Sequence, residues 1–522
     1  MAGLAAGGLS LAATSSEAGP AEAPAVHTGQ SEQPNILFIF SDDHTTQSIG
    51  SYASDPSIPT VDGRLAGIAR SENIDRIAEE GARLDNCFCT NAICVPSRAS
   101  VLTGQYSHET DVYTLMDAFD PERPHVGKEL QASGYETAMI GKWHLKEDPS
   151  GFDHWLRLPG QGRYFDPRMK LKGEDEYRSY EGFSSDVITR QSIDWMRARA
   201  DRDGPFCLMT HYKSCHGPFG FPPRNEELFE DIVIPEPPSL WEDKSHRSPG
   251  SRTYGLSIET MAGRLIQEHY GGWEPPQPLE EMTERQVLRH AHQAFVKRYL
   301  RSAAAIDQGV GQLLDYLDAA GLAENTVVIY SSDQGYFLGE HNYIDKRWMY
   351  EESLRMPFMI RYPGRITPGT TVSDLTLNVD FAPTFLDLAG RDAPEYMQGS
   401  SFLPQLCGED APGWRDGAYF RYYHHTANGN RPAHYGIRTD RYKLIFFYGL
   451  PLEHGDLERP TEPGMELYDL KKDPREMDNV YEDPAYRDIA HRLEQALLEK
   501  KDELGDIDED PELLKRRSQF FG

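Results

Sequence analysis

Asp42, Asp43 and Asp333, with Gln334 beside the last, offer three carboxylates and an amide oxygen. Three anions brought together repel unless a cation sits among them, and all-oxygen ligands favour a hard ion, Ca2+ or Mg2+, over zinc. A lone Asp-Asp pair is more often a cap or a solvated turn, so the weight rests on the second pair far along the chain. A third group is Cys94-Val95-Pro96-Ser97-Arg98. Pro96 and Ser97 open helices well, which predicts Cys94 at a helix N-terminus, where the backbone dipole favours an anionic nucleophile or ligand. Arg98, four residues on, shares that face and can bind an anion. A plain thiol nucleophile wants a histidine base and has no use for hard-metal carboxylates, so residue types alone leave this combination open.

Each of these groups needs an element to position it, and apolar runs supply them. Residues 35–40 (NILFIF) end in Ser41-Asp42-Asp43-His44, and residues 326–330 (TVVIY) lead to Ser332-Asp333-Gln334-Gly335. Residues 135–140 (YETAMI) end in Gly141-Lys142-Trp143-His144, and residues 205–211 (PFCLMTH) lead to Lys213, Cys215 and His216. Unbroken apolar runs read as strands buried on both faces. Helical stretches at 74–81, 127–133, 185–200 and 303–319 separate them. The expected fold class is therefore α/β: a large mixed, mostly parallel sheet sandwiched by helices, with a smaller C-terminal α+β domain. Ligands of such sheets bind beyond the carboxyl ends of the strands, and four strands here carry charged groups or imidazoles at that end.

The 522 residues include 53 Lys plus Arg and 83 Asp plus Glu, a formal net charge of −30. Phosphate contacts need Lys and Arg, so this balance argues against a general nucleic-acid binder. No run reaches the roughly 18 apolar residues of a membrane span. The six cysteines show no paired metal spacing and are too few for a disulfide scaffold, which predicts mostly buried free thiols. Residues 1–31 (MAGLAAGGLSLAATSSEAGP…) resemble the apolar and cleavage regions of an export signal without its basic start. Export to the periplasm or beyond is expected, from a start placed too late in the chain; the alternative reading of the stretch is a disordered tail. A catalytic domain is expected over 32–396, with a Pro- and Trp-rich surface insertion near 219–278. A C-terminal domain is expected over 397–522, with antiparallel strands at 417–423, 435–438 and 443–448 and a terminal helix at 485–503. The acidic stretch 502–512 reads as solvated surface.

The Cys94–Arg98 segment, followed by Leu102-Thr103-Gly104, resembles the Cys-x-Pro-Ser-Arg signature of the type I sulfatases of the alkaline-phosphatase superfamily. The likeness runs from Pro34 to about residue 485. It takes in Gly141–His144, Ser332–Gly335, Lys346, and Glu466-Leu467-Tyr468-Asp469 with Asp473-Pro474, and the pattern is similar to bacterial N-acetylglucosamine-6-sulfatases and arylsulfatases. The resemblance implies that a formylglycine-generating enzyme oxidises Cys94 to formylglycine, whose hydrate supplies a hydroxyl nucleophile. It implies that this residue, Asp42, Asp43, Asp333 and Gln334 hold one Ca2+, with Mg2+ the alternative. Arg98, Lys142 and Lys346 would bind sulfate oxygens, His216 would give a proton to the leaving alcohol, and His144 would aid sulfate release. Gln334 departs from the usual Asn, and Val95 is a less usual occupant of the variable position.

Thr60 is separated from Asn73–Arg76 by a stretch that many relatives lack, and is expected near the site entrance. His211 reads as a strand-end structural residue. His341, and His434 and Arg438 behind the His424-His425 pair, are the expected substrate-binding residues, with a role in holding the Lys346 loop the alternative for His341. The activity implied is removal of sulfate from a sulfated carbohydrate. Two alternatives stand beside it: a phosphonate monoester or phosphodiester hydrolase on the same site, and a calcium-dependent binder of sulfated glycans without turnover.

Overall fold

The computed structural model describes residues 33–521 except 201, 268–277, 453 and 455–458; the export-signal reading lies outside the described residues. A ten-stranded sheet forms the centre, in the order Thr370–Val372, Ala82–Leu84, Phe358–Arg361, Thr326–Ser332, Asn35–Ser41, Phe206–His211, Glu136–Gly141, His154–Arg157, Arg168–Leu171, Tyr177–Ser179. The five strands from Thr326–Ser332 to His154–Arg157 run parallel, and antiparallel strands flank them on both sides. The expected mixed, mostly parallel sheet is what forms.

Strand alternation explains its two cores. Ile36, Phe38 and Phe40 face one side, where Phe38 meets Phe385 at 5.0 Å, while Leu37 and Ile39 face the other with Ile306 and Leu314. With both faces covered, the strand has no polar side, hence its unbroken apolar run. The second face is covered by Glu284–Ala319, a helix of 36 residues that begins at a capping box between Thr283 and Gln286. It extends well beyond the stretch 303–319 expected as helical. Leu288, Ala291, Phe295 and Tyr299 continue its buried stripe toward the N-terminus through a segment rich in charge.

The C-terminal sheet is antiparallel, in the order Gly417–Tyr422, His434–Thr439, Tyr442–Phe447, Gly464–Asp469, and the fourth strand was not expected as one. The helix Arg487–Leu504 lays Ala490, Leu493 and Leu497 on it, within the same continuous core as Phe358 and Phe381 of the large sheet.

Two readings of surface segments need correction. The stretch near 219–278 is more than surface: Phe219, Ile234, Leu240 and Ile258 are buried. Ser248 and Ser251 bond Glu466 of the C-terminal sheet, so the segment joins the two sheets. The acidic stretch is not simply solvated either. Asp506 and Asp508 are buried against Arg421 and Lys501, because carboxylates just past the end of a helix meet Arg421 reaching across from the sheet and Lys501 of that helix's own last turn. No described helix is long and apolar enough to cross a membrane.

Candidate active site

Register brings the chemistry together. Ser41 lies opposite Ser332, Phe40 opposite His211, and His211 opposite Gly141. The residues that follow these strands therefore leave the sheet at one edge. Asp43 N–H donates to Asp333 Oδ1 at 3.1 Å, and Asp42 N–H donates to the Ser214 carbonyl at 3.0 Å. Above them starts the helix Cys94–Thr103, with Ile93 in extended conformation before it. Cys94 is its first residue, as expected. Ser97 Oγ donates to the Asp333 carbonyl and accepts from Asn378 at 3.0 Å, which pins the helix start to the strand end.

One ligand atom from each of Asp42, Asp43, Cys94 and Asp333 lies within 4.8 Å of all the others, and all four residues are buried. Cys94 Sγ is 3.3 Å from Asp42 Oδ1. Each carboxylate also has its own cation. Lys142 bonds Asp42, Lys346 Nζ reaches Asp43 Oδ2 at 2.6 Å, and Arg98 Nε reaches Asp333 Oδ2 at 3.0 Å. Arg98 is fixed further by the Lys142 carbonyl at 2.9 Å.

These cations do not relieve the crowding completely. Burial would raise Asp42, but Lys142, helped by His216, Arg98 and Lys346, holds it well below the usual carboxylate range. Burial pushes Asp43 up to about 6 against the pull of Lys346. Burial and the Asp42 charge push Asp333 up to about 7. Such a set has room for further positive charge. Gln334 Oε1 is buried with no partner, while its amide nitrogen sits 2.5 Å from Asp43 Oδ1 and 3.7 Å from Cys94 Sγ. An amide turned the other way would add its oxygen to the cluster. The donor set thus fits a hard divalent cation.

A family described as sulfatase matches residues 34–391 of this chain, and the C-terminal part of N-sulphoglucosamine sulphohydrolase matches residues 339–503. The chain belongs to the sulfatase family. It is a type I sulfatase of the alkaline-phosphatase superfamily and hydrolyses sulfate esters. An N-acetylglucosamine-6-O-sulfatase of Bacteroides thetaiotaomicron is 37% identical over 519 residues, covering 92% of this chain and 88% of the relative. The solved structure of BT4656 with its substrate D-glucosamine-2-N,6-O-disulfate superposes with a TM-score of 0.80 at 36% identity, covering 92% of this chain and 99% of that one. A phosphonate monoester hydrolase from Silicibacter pomeroyi shares the fold, with a TM-score of 0.68 at 20% identity over 90% of this chain and 95% of that one.

The sulfatase's imidazoles lie at the rim of the cluster. His216 Nδ1 bonds the Gly217 carbonyl at 2.6 Å, leaving Nε2 3.9 Å from Asp43 Oδ2. Its side chain is 20% exposed, so substrate can reach it. His144 has a left-handed backbone (φ 64) and a buried Nδ1 without a partner, and burial with Lys142 lowers it to about 2. Its ring lines a cavity of ≈ 280 Å³ together with Lys146, Arg157 and Tyr177.

The expected substrate-binding residues are engaged in internal contacts. His341 is fully buried, its Nδ1 between Glu242 at 2.6 Å and Arg247 at 2.7 Å. His434 is fully buried among Phe420, Trp348 and Phe447. Arg438 bonds Glu351 and lines a ≈ 490 Å³ cavity with Thr60, and the lining of that cavity includes none of the catalytic cluster. Thr60 itself bonds Arg355 at 2.6 Å.

Two residues at the site were not read from the sequence as part of it. Tyr299 donates its hydroxyl to the Asp43 carbonyl at 2.7 Å and accepts from Thr45 N–H at 2.9 Å. Its place on the buried stripe of a long helix was the available signal. Lys213 was visible after its strand but was assigned no role; it is buried, and burial with Lys142 lowers it to about 8.

Proposed function

We propose that this sulfatase removes the 6-O-sulfate from a glucosamine unit of a sulfated carbohydrate. In this reading Cys94 acts as formylglycine, beside a Ca2+ ion, or Mg2+ in its place, held by Asp42, Asp43, Asp333 and Gln334. The observation that carries it is the position of Cys94, on a helix N-terminus within ligand distance of three carboxylates from two strand ends. The extensive identity to an N-acetylglucosamine-6-O-sulfatase supports the substrate class. Bound there, the ion would polarise a sulfate oxygen and lower the pKa of the hydroxyl that hydrated formylglycine supplies.

The chain's own residues then have separable tasks. Lys142, Lys346 and Arg98 each hold one carboxylate in place and present the rest of their charge to the sulfuryl oxygens. Preorganised charge of this kind costs no reorganisation when negative charge shifts during reaction. His216 donates Nδ1–H to Gly217 and so directs Nε2 into the site. Burial and Lys346 hold its pKa well below the usual imidazole range, so Nε2 takes up the proton it passes to the leaving alkoxide only once the anionic ester is bound beside it. His144 lies on the side of Lys142 and assists release of sulfate. His341, His434 and Arg438, engaged in internal contacts, are better suited to holding the site loops and the small sheet than to binding sugar.

Cys94 is only 1% exposed in the folded chain. Its oxidation by a formylglycine-generating enzyme therefore belongs to an unfolded stage, before or during the export that the N-terminal stretch implies. The deciding experiment is the mass of the tryptic peptide spanning residues 84–98, reduced and alkylated, from protein made in its own host. Loss of sulfur at Cys94 with gain of an aldehyde is expected, and an intact thiol throughout rejects the mechanism. A panel of paired sulfate and phosphate esters then tests the reaction class: a kcat/KM preference for phosphodiesters would favour the phosphorus enzyme.

A further inference from the structure

Lys213 is a cation out of place by ordinary rules. It is 4% exposed, and its ammonium lies 4.5 Å from the centroid of the Tyr164 ring. Among the described residues it makes no side-chain hydrogen bond or ion pair. A buried ammonium without an anion is costly, and such groups are normally paired. The face of an aromatic ring replaces only part of what a carboxylate or water would provide.

Its surroundings say where the missing anion belongs. The segment carrying Lys213 is clamped to the metal-ligand strand end. Asp42 N–H donates to the Ser214 carbonyl at 3.0 Å, and Cys215 N–H donates to the Asp42 carbonyl at 2.5 Å. Lys142, Asp42, Asp43 and Cys94 are all near enough to act electrostatically on the ammonium. The platform under it is rigid: Tyr164 stacks on Phe183 at 5.6 Å and 14°, and its hydroxyl donates to the His216 carbonyl at 2.5 Å. One ring therefore ties the lysine to the segment that carries the proton donor.

The other three cations of the site each have a carboxylate: Lys142 has Asp42, Lys346 has Asp43, and Arg98 has Asp333. Lys213 has none. We infer that Lys213 is a further anion-binding residue of this site, whose ammonium contacts the sulfuryl group or the departing oxygen of the bound ester. Its burial lowers its pKa, as expected of an ammonium that lacks its counter-ion until an anion arrives. The inference rests on the sulfate-ester reading for the identity of the anion.

The test uses the mature holoenzyme with Lys213→Met, which keeps the side-chain length over Tyr164, and Lys213→Arg, which keeps the charge. Three quantities are measured: kcat/KM on 6-O-sulfated N-acetylglucosamine, inhibition by inorganic sulfate, and inhibition by unsulfated N-acetylglucosamine. Loss of a charge-assisted contact predicts that the Met variant weakens sulfate inhibition by about 10- to 150-fold and lowers kcat/KM by at least as much. Inhibition by the unsulfated sugar stays within about 3-fold, and the Arg variant recovers most of the sulfate inhibition. Unchanged sulfate inhibition in the Met variant overturns the inference, whether or not turnover falls, because a purely structural lysine would lower turnover without touching the anion. If the Met variant does not fold, Lys213→Gln is read by the same three measurements. Wild-type enzyme that hydrolyses phosphate esters and no sulfate ester would reject the sulfatase reading separately, while anion inhibition would still report on Lys213.

Discussion

Replacing Tyr299 with Phe removes one oxygen and leaves the ring in place. The ring packs on Tyr336 at 5.7 Å and on Phe219 at 5.4 Å, and those contacts survive the change. What is lost is the bridge from the Asp43 carbonyl, at 2.7 Å, to Thr45 N–H, at 2.9 Å. Asp43 and Thr45 are both fully buried. A buried backbone group left unsatisfied costs about 1–3 kcal/mol, so the pair costs about 2–4 kcal/mol once partial relaxation is allowed. At 1.4 kcal/mol per factor of ten, the turn carrying Asp43 should open about 30- to 700-fold more often. Because that turn aims a metal-ligand carboxylate, kcat/KM should fall by about 10- to 100-fold, the usual effect of losing a group that orients a ligand. Hydrogen exchange on peptides covering residues 41–48, with kinetics on the same preparation, measures both effects. Wild-type protection and wild-type turnover in Tyr299→Phe would refute the reasoning, for the hydroxyl would then be dispensable to the geometry of Asp43.

Cys94→Ala should abolish sulfate release while leaving the circular dichroism spectrum unchanged, and Cys94→Ser should leave at most a trace; near-normal turnover in the Ala variant would show that Cys94 is not the nucleophile. Dialysis against EDTA should remove activity and lower the thermal midpoint, with added Ca2+ or Mg2+ restoring both, whereas a midpoint indifferent to chelator and ion would argue against a metal at Asp42, Asp43 and Asp333. His434→Phe should change thermal stability but leave KM within about 2-fold, because the ring belongs to an aromatic cluster; a large rise in KM would return His434 to the substrate. Burial raises Asp506, but Arg421 and Lys501 overcome it and hold the carboxyl below its usual range. A depressed folded-state pKa stabilises above the unfolded value of about 3.9, and that stability is lost as pH falls below it. Limited acid proteolysis should therefore release the segment after residue 505 more readily at pH 3 than at pH 6, and Asp506→Asn should flatten that difference.

The central sheet was legible because strands buried on both faces have little choice of residue. NILFIF and TVVIY show no alternation, and each ends abruptly in charge where the chain leaves the sheet. The cluster was legible for a related reason. Carboxylates are rarely buried unless something offsets their charge, so acidic pairs directly after buried strands mark a shared need. Lys142 was marked by its place at a strand end, but its role, and Lys346 altogether, came only from the resemblance, since nothing local shows that a lysine in a loop will turn inward. The first half of the helix Glu284–Ala319 was missed because its buried stripe runs through Arg, His and Gln, and a charged majority hides a stripe that needs one residue in three or four.

What remained illegible depends on partners distant in sequence. Asp506 and Asp508 look like a solvated tail until Arg421, more than eighty residues earlier, is placed beside them. His341 looks like a substrate ligand until Glu242 and Arg247 close on it from a segment nearly a hundred residues earlier. In both cases a charged or polar side chain has found a complement within the protein. Lys213 is the converse case. The fold buries it beside the catalytic cluster and, among the described residues, gives it the face of Tyr164 and no carboxylate, so the polar group to examine for function is the one the fold leaves uncompensated rather than the one its sequence makes conspicuous. That criterion separates Lys213 from Lys443, which is as deeply buried but lies between Glu351 at 2.9 Å and Glu476 at 2.8 Å and has a structural reason to be there.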